Sequence, residues 1–140
     1  MMVLLDTNVI SEMMRPEASP SVLRWFSRQR APEVYSSIIT LAEVYYGIEL
    51  LPAGKRRHEL LAGADRMFSK VLAGRVFAFE DEAAHAFARI ASVRRKAGKP
   101  IAEMDAQIAA IARVHGAILA TRNTADFEGC GIRVVNPWRD

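Results

Sequence analysis

Apolar residues recur along this chain in two rhythms. In one, three or four fall together without a charge. Met2-Val3-Leu4-Leu5 is such a run, and it stops abruptly at Asp6-Thr7-Asn8. Runs of this kind read as strands buried on both faces of a parallel sheet. Val34-Tyr35-Ser36-Ser37, Val76-Phe77-Ala78-Phe79 and Ala117-Ile118-Leu119-Ala120 have the same character, and Arg133-Val134-Val135 adds a short fifth. In the other rhythm, apolar positions return every three or four residues, which marks helices. Val9-Ile10-Ser11-Glu12-Met13 is one, and residues 21–26 place Val22, Trp25 and Phe26 on one face. Residues 39–51 form a third, ended by Pro52 and Gly54. Residues 55–72 read as one long helix with Leu60, Leu61, Ala64, Met67, Phe68, Val71 and Leu72 facing inward. Residues 81–97, stopped by Gly98 and Pro100, and the alanine-rich residues 102–114 complete the set.

Strands alternating with helices predict an α/β fold with a mostly parallel five-stranded sheet. The helical stretch between the second and third strands is longer than a single crossover needs and predicts a helical arm. No repeat, linker or low-complexity tract interrupts the 140 residues, so one domain over residues 1–140 is expected.

Composition narrows this picture only in places. No apolar run is long enough to span a bilayer, and the first residues lack a basic leader, so a cytoplasmic chain is expected. Cys130 is the single cysteine, which excludes an internal disulfide and a cysteine-built zinc site. The net charge of +3 and pI near 9.4 permit nucleic-acid binding without arguing for it.

The chemistry lies in the acids. Asp6 ends the first strand, where open α/β sheets carry their ligand crevice, although a cap on the following helix needs the same residue. Glu43 sits at helical spacing from Ile39, Thr40, Tyr46, Gly47 and Leu50, an apolar setting for a carboxylate that could also snorkel. Asp105 opens the alanine-rich helix, with Ile108, Ala109 and Ala112 on its side. It is expected to face the sheet, while Glu103 suffices for the helix dipole. Asp126 follows the fourth strand in Thr121-Arg122-Asn123-Thr124-Ala125-Asp126-Phe127, where an Asx turn is the plainer reading. Strands one and four are expected neighbours at the switch point of the sheet, which would gather Asp6, Glu43, Asp105 and Asp126 in one pocket. Clustered carboxylates require cations or protons. Oxygen donors without His or Cys suit Mg²⁺, with Mn²⁺ possible.

These stretches also carry a family resemblance. Leu4-Leu5-Asp6-Thr7-Asn8-Val9-Ile10-Ser11, Leu41-Ala42-Glu43-Val44-Tyr45-Tyr46-Gly47, Met104-Asp105-Ala106-Gln107-Ile108-Ala109-Ala110 and residues 120–127 resemble, in order, the motifs of PIN-domain ribonucleases. The likeness is strongest to VapC-type toxins, including the FitB-like branch, whose ending Val135-Asn136-Pro137-Trp138 also resembles. The resemblance implies a three-layer α/β/α sandwich, Mg²⁺-dependent endoribonuclease activity, and a homodimer. It also implies an antitoxin of the VapB or FitA kind, which would build a heterotetramer or larger assembly. Carried over, Asp6, Glu43 and Asp105 match the family's acids. Many members have Asp where this chain has Asn123, and Asp126 is expected to supply that missing charge while Asn123 keeps a hydrogen-bonding role. Apart from the resemblance, Thr7 and Asn8 read either as residues that orient metal-bound water or as helix caps, Thr121 is expected in support, and Arg122 reads as a phosphate contact. The antitoxin is expected to place a basic side chain among the acids.

Lys55-Arg56-Arg57, Arg94-Arg95-Lys96 and Lys99 are basic clusters that read either as solvated helix surface or as phosphate contacts. Tyr45 and Tyr46 could stack bases or pack in the core. His58, His85 and His115 are isolated, and the glycines between Gly47 and Lys55 do not form a phosphate loop. Two other readings compete. One is a PIN nuclease of RNA maturation. The other is a non-catalytic receiver-like module, against which the missing lysine near Val135 counts.

Overall fold

The computed structural model describes residues 1–140. In chain order the elements are β1 (Val3–Leu5), α1 (Thr7–Met13), α2 (Pro20–Ser27), β2 (Val34–Ser37), α3 (Ile38–Glu49), α4 (Lys55–Arg66), β3 (Val76–Phe77), α5 (Asp81–Lys96), α6 (Glu103–His115), β4 (Ile118–Ala120) and β5 (Val134–Val135). Short 3₁₀ turns occupy Ala31–Glu33 and Thr124–Phe127. The sheet runs β3-β2-β1-β4-β5 with every pairing parallel. β1 lies between β2 and β4, with Leu5 level with Ala120.

Successive side chains of a strand face opposite sides, and β1 divides two cores accordingly. Val3 and Leu5 join Val34 and Ala120 against α1 to α4, around Ile10, Trp25, Val44, Ile48 and Phe68. Leu4 joins Leu119 against α5 and α6, where Ala83, Ala86, Ile90 and the run Ile108–Ala112 close in. The alanines let α6 lie close to the sheet, and Ile108 and Ile111 are fully buried. This is the expected three-layer sandwich.

The segment between β2 and β3 departs from expectation in one respect. Residues 55–72 are not a single α-helix. α4 ends at Arg66, and Met67–Val71 form a π turn in which Leu72 N–H donates to Met67 O at 2.8 Å. The inserted residue changes the helix phase, so Ala64, Met67, Phe68 and Leu72 all remain in the core. Arg75 braces the turn: its guanidinium donates to Val71 O and, at 2.9 Å, to Val34 O. The predicted arm is thus a helical hairpin, α3 with α4, rooted in the core of the molecule.

Gly116 ends α6 in the left-handed conformation at φ 64°, and its N–H closes onto the last turn. A Cβ there would meet nothing within 4 Å. Gly116→Ala should therefore cost only the backbone penalty, about 1 kcal/mol, read as a lower urea midpoint with an unchanged slope. A loss several times larger would contradict the open space seen at that position.

Candidate active site

Asp6 leaves β1 with its N–H donating to Ala120 O at 2.9 Å, so the strand pairing holds its backbone in place. Its side chain also caps α1: Oδ1 accepts the Thr7 N–H at 2.8 Å. Capping α1 and lining the cavity are compatible in one geometry. Oδ2 accepts the Thr121 hydroxyl at 2.7 Å and Asn8 Nδ2 at 3.4 Å. Asn8 Nδ2 also lies 3.2 Å from Thr121 Oγ1. Asp6 is only 4% exposed, and burial pushes its carboxyl above the usual range. The bonds from Thr121 and Thr7 oppose that shift, while the charges of Glu43 and Asp126 add to it.

α3 starts at Ser37, whose hydroxyl accepts the Thr40 N–H at 3.1 Å. Its buried stripe is Thr40, Val44 and Ile48. Tyr46 and Leu50, expected beside Glu43 on an apolar face, are instead 66% and 68% exposed. Glu43 stands on the flank between stripe and solvent. The Thr7 hydroxyl donates to its Oε1 at 2.7 Å and lies 3.2 Å from Thr40 Oγ1. Tyr45 packs against Phe68 and bonds Asp65, so it serves the hairpin.

Asp105 enters from the first turn of α6. Partial burial first, and then the charges of Asp6, Asp126 and Glu43, raise its carboxyl from 3.8 to about 6. It accepts no hydrogen bond that would offset this. Asp6, Glu43 and Asp105 all line one open cavity of about 680 Å³, together with Thr7, Asn8, Arg122 and Asn123.

Asp126 is placed differently. It lies in the exposed 3₁₀ turn Thr124–Phe127, outside the cavity lining, and Asn123 takes the position on the wall. The charge of Asp126 reaches Asp6 and Asp105, but its side chain is not on the wall with theirs. Phe127 anchors this loop at 2% exposure. Arg94 fixes it from below, donating to Asp126 O at 2.8 Å, Glu128 O at 3.0 Å and Lys99 O at 2.7 Å. That arginine is therefore a loop clamp, neither free helix surface nor phosphate contact.

No three His, Cys, Asp or Glu side chains converge into a ready-made metal cage. The donor set is nonetheless all carboxylate, hydroxyl and carboxamide oxygen, and burial together with the charges of Asp6, Asp126 and Glu43 raises the Asp105 carboxyl. That combination fits a hard cation such as Mg²⁺, which is held through one or two carboxylates and keeps much of its own hydration.

The cavity wall also includes an acid that sequence spacing did not assign to the site. Glu12 is buried, bonded to Ser19 N at 2.9 Å and paired with Arg15 at 3.3 Å. Its i,i+3 spacing to Arg15 was the one available signal. Arg56, Leu60 and Trp138 arrive from α4 and from the far end of the chain.

Residues 3–129 match the PIN domain family. The chain belongs to that family. Within it, the chain is 40% identical to VapC ribonuclease Y4jK of Sinorhizobium fredii over 98% of both chains. It is also 40% identical to Toxin FitB of Neisseria gonorrhoeae, over 99% of this chain and 100% of that one. A solved structure of FitAB bound to an IR36 DNA fragment superposes with a TM-score of 0.88 at 39% identity, covering 99% of this chain and 97% of the other. Nucleases of this class are in general metal-dependent. The receiver-like alternative is excluded. No helix here is long and apolar enough to cross a membrane.

The Asp105 carboxyl gives a pH signature. Its proton leaves near 3.8 in the unfolded chain and near 6 in the folded one, so the folded state holds more protons between those values. Stability must then fall as pH rises through that window and stay reduced above it. Metal-free Asp105→Asn should melt above the metal-free parent at pH 7.5, by on the order of 1 kcal/mol after solvent screening. The gain should vanish toward pH 4. Thermal melts of the two proteins across that range provide the check; a variant less stable at pH 7.5 refutes the electrostatic account.

Proposed function

We propose that this chain is the ribonuclease toxin of a toxin–antitoxin pair, a metal-dependent endoribonuclease acting from the cavity at the head of β1. The observation that carries the reading is the meeting of Asp6, Glu43 and Asp105 on one cavity wall, in a chain that shares 40% of its residues with a VapC ribonuclease and with FitB.

Asp6 and Asp105, with Glu43 beside them, would hold Mg²⁺ or Mn²⁺, which when bound offsets the charge of a phosphodiester and polarises its oxygens. The chain's own residues prepare the site. Thr7 N–H, Thr121 and Asn8 fix the Asp6 carboxylate in one orientation, and the Thr7 hydroxyl fixes Glu43. Asp105 is the group left adjustable, and near neutral pH its oxygens exchange a proton readily. Asp126 contributes through its field. Asn123, on the wall, offers a carboxamide that orients a ligand without adding charge.

The solved FitAB and VapBC complexes support a partner of the FitA or VapB kind for this chain. A basic side chain of that partner among the acids would substitute for cation charge and silence the site. Ile38, Leu50 and Met104 expose apolar surface suited to a homodimer and its larger antitoxin complex. The site of action is the cytoplasm, where RNA is met.

Partner-free protein should cleave total cellular RNA with Mg²⁺ and not after chelation. Asp6→Asn and Asp105→Asn should each lose at least about a hundredfold in rate while staying folded, the scale of losing a preorganised electrostatic group. Full activity in either folded variant removes that residue from the site. Protons and metal should compete at Asp105, so raising Mg²⁺ should carry the acid limb of the rate profile to lower pH.

Asn123 and Asp126 are separated by a second comparison. Asn123→Asp adds a carboxylate on the wall and should tighten Mg²⁺ dependence severalfold. Asp126→Asn should change it by no more than about twofold, since exposed charges interact weakly. Mg²⁺ titrations of cleavage rate decide between them, and a large loss in Asp126→Asn would restore it as a direct ligand.

A further inference from the structure

The cavity that gathers the acids also carries three guanidinium groups: Arg15, Arg56 and Arg122. Arg15 is neutralised by Glu12 at 3.3 Å. In the basic cluster at the start of α4, Lys55 pairs with Glu59 and Arg57 with Glu49. Arg56, between them, has no carboxylate partner, and it is the member of that cluster on the cavity wall.

Arg122 also lacks a carboxylate partner, although it shares the cavity with four acids. It is held another way. Its guanidinium carbon lies 5.0 Å from the centroid of the Trp138 ring. Its backbone N–H donates to Asn8 Oδ1 at 3.1 Å, tying it to the side chain that supports Asp6. The ring beneath it is fixed in turn. Trp138 N–H donates to Asn136 Oδ1 at 2.9 Å, and Asn136 N–H donates to Asp140 Oδ2 at 2.7 Å. Arg28 donates to the Asp140 carbonyl at 3.2 Å, and the indole packs against the core under α1 to α4. An arginine carried on an aromatic ring loses little freedom on binding and keeps its planar fork for a bidentate acceptor. The acceptor that matches this fork, and that the adjacent acids alone would repel, is phosphate.

Resting on the nuclease reading of the same cavity, we propose that Arg122 on its Trp138 shelf is the phosphate-binding subsite for a single-stranded RNA substrate, with Arg56 meeting the strand from the α4 wall. Arg122 grips a backbone phosphate neighbouring the one to be cut. Such a contact sets the register of the strand and does not read its bases.

The test measures affinity for a short fluorescein-labelled single-stranded RNA of mixed sequence, in Mg²⁺, using the full chain with Asp6→Asn so that the RNA stays intact. Adding Arg122→Gln should weaken binding about tenfold, as expected for one charge-assisted contact. It should also lower the slope of log affinity against log salt by about 0.7, the value of one single-strand phosphate. Trp138→Leu, which keeps the arginine and removes its ring, should weaken binding severalfold. Arg133→Gln removes the same charge outside the cavity and should leave affinity near the parent. Equal effects of Arg122→Gln and Arg133→Gln overturn the proposal, as does unchanged affinity in a folded Arg122→Gln or Trp138→Leu protein. Unchanged RNA affinity with weakened capture of a protein partner would reassign the arginine to that partner. If the unmodified chain cleaves no RNA at all, the nuclease reading fails. If it cleaves and Arg122→Gln cleaves with the same KM, only the subsite fails.

Discussion

Two carboxylates about 4 Å apart repel by roughly 4 kcal/mol at an effective dielectric near 20, and drier surroundings raise that figure. The crevice at the head of β1 brings Asp6, Glu43 and Asp105 to one wall under this constraint. The fold answers it with donors taken from its own framework. The backbone N–H that opens α1 and the hydroxyl that follows β4 both serve Asp6, and the Thr7 hydroxyl serves Glu43. Asp105 receives no such donor, and its burial first, with the charges of Asp6, Asp126 and Glu43 after it, raises its proton affinity. A site in this condition favours the entry of positive charge.

The framework was legible where a single stretch of chain carries its own signal. Four short apolar runs, each bounded by turn residues, became β1 to β4, and the acid at the end of β1 lies where the topology predicted. Asp6 posed a choice between helix cap and crevice wall, and a residue between a strand and a helix occupies both positions at once. Other features depended on distant partners. Helical spacing put Glu43 on the face of Tyr46 and Leu50, but the sheet and α1 chose Thr40, Val44 and Ile48 for the interior, about one residue's rotation away. Nothing between Met67 and Val71 marks a break, since no Gly or Pro stands there. The π turn is a response to packing, braced by Arg75. Sequence spacing could suggest that Asp126 completes the acidic set, but it could not reveal that Arg94 would pin the loop and leave Asn123 on the wall.

The basic residues show the same division. As letters, Lys55, Arg56 and Arg57 are equivalent, and so are Arg94 and Arg95. In three dimensions Lys55 and Arg57 are paired with acids, Arg94 is spent on carbonyls, and Arg56 and Arg122 keep their charge available beside the crevice. A count of charges therefore says little about this surface. What separates the arginines is the company each keeps, and in Arg122 that company is a ring from the opposite end of the chain.

The strand order β3-β2-β1-β4-β5 has a further consequence. β1 is made first and sits at the centre, yet one of its two neighbours, β4, begins at Ile118. Thr121, which steadies Asp6, and Trp138, which carries Arg122, come later still. In chain order, nearly the whole polypeptide separates the Asp6 carboxylate from the Thr121 hydroxyl that completes its hydrogen bonds. A chain stopped before β4 therefore lacks both the hydroxyl that orients Asp6 and the ring that carries Arg122.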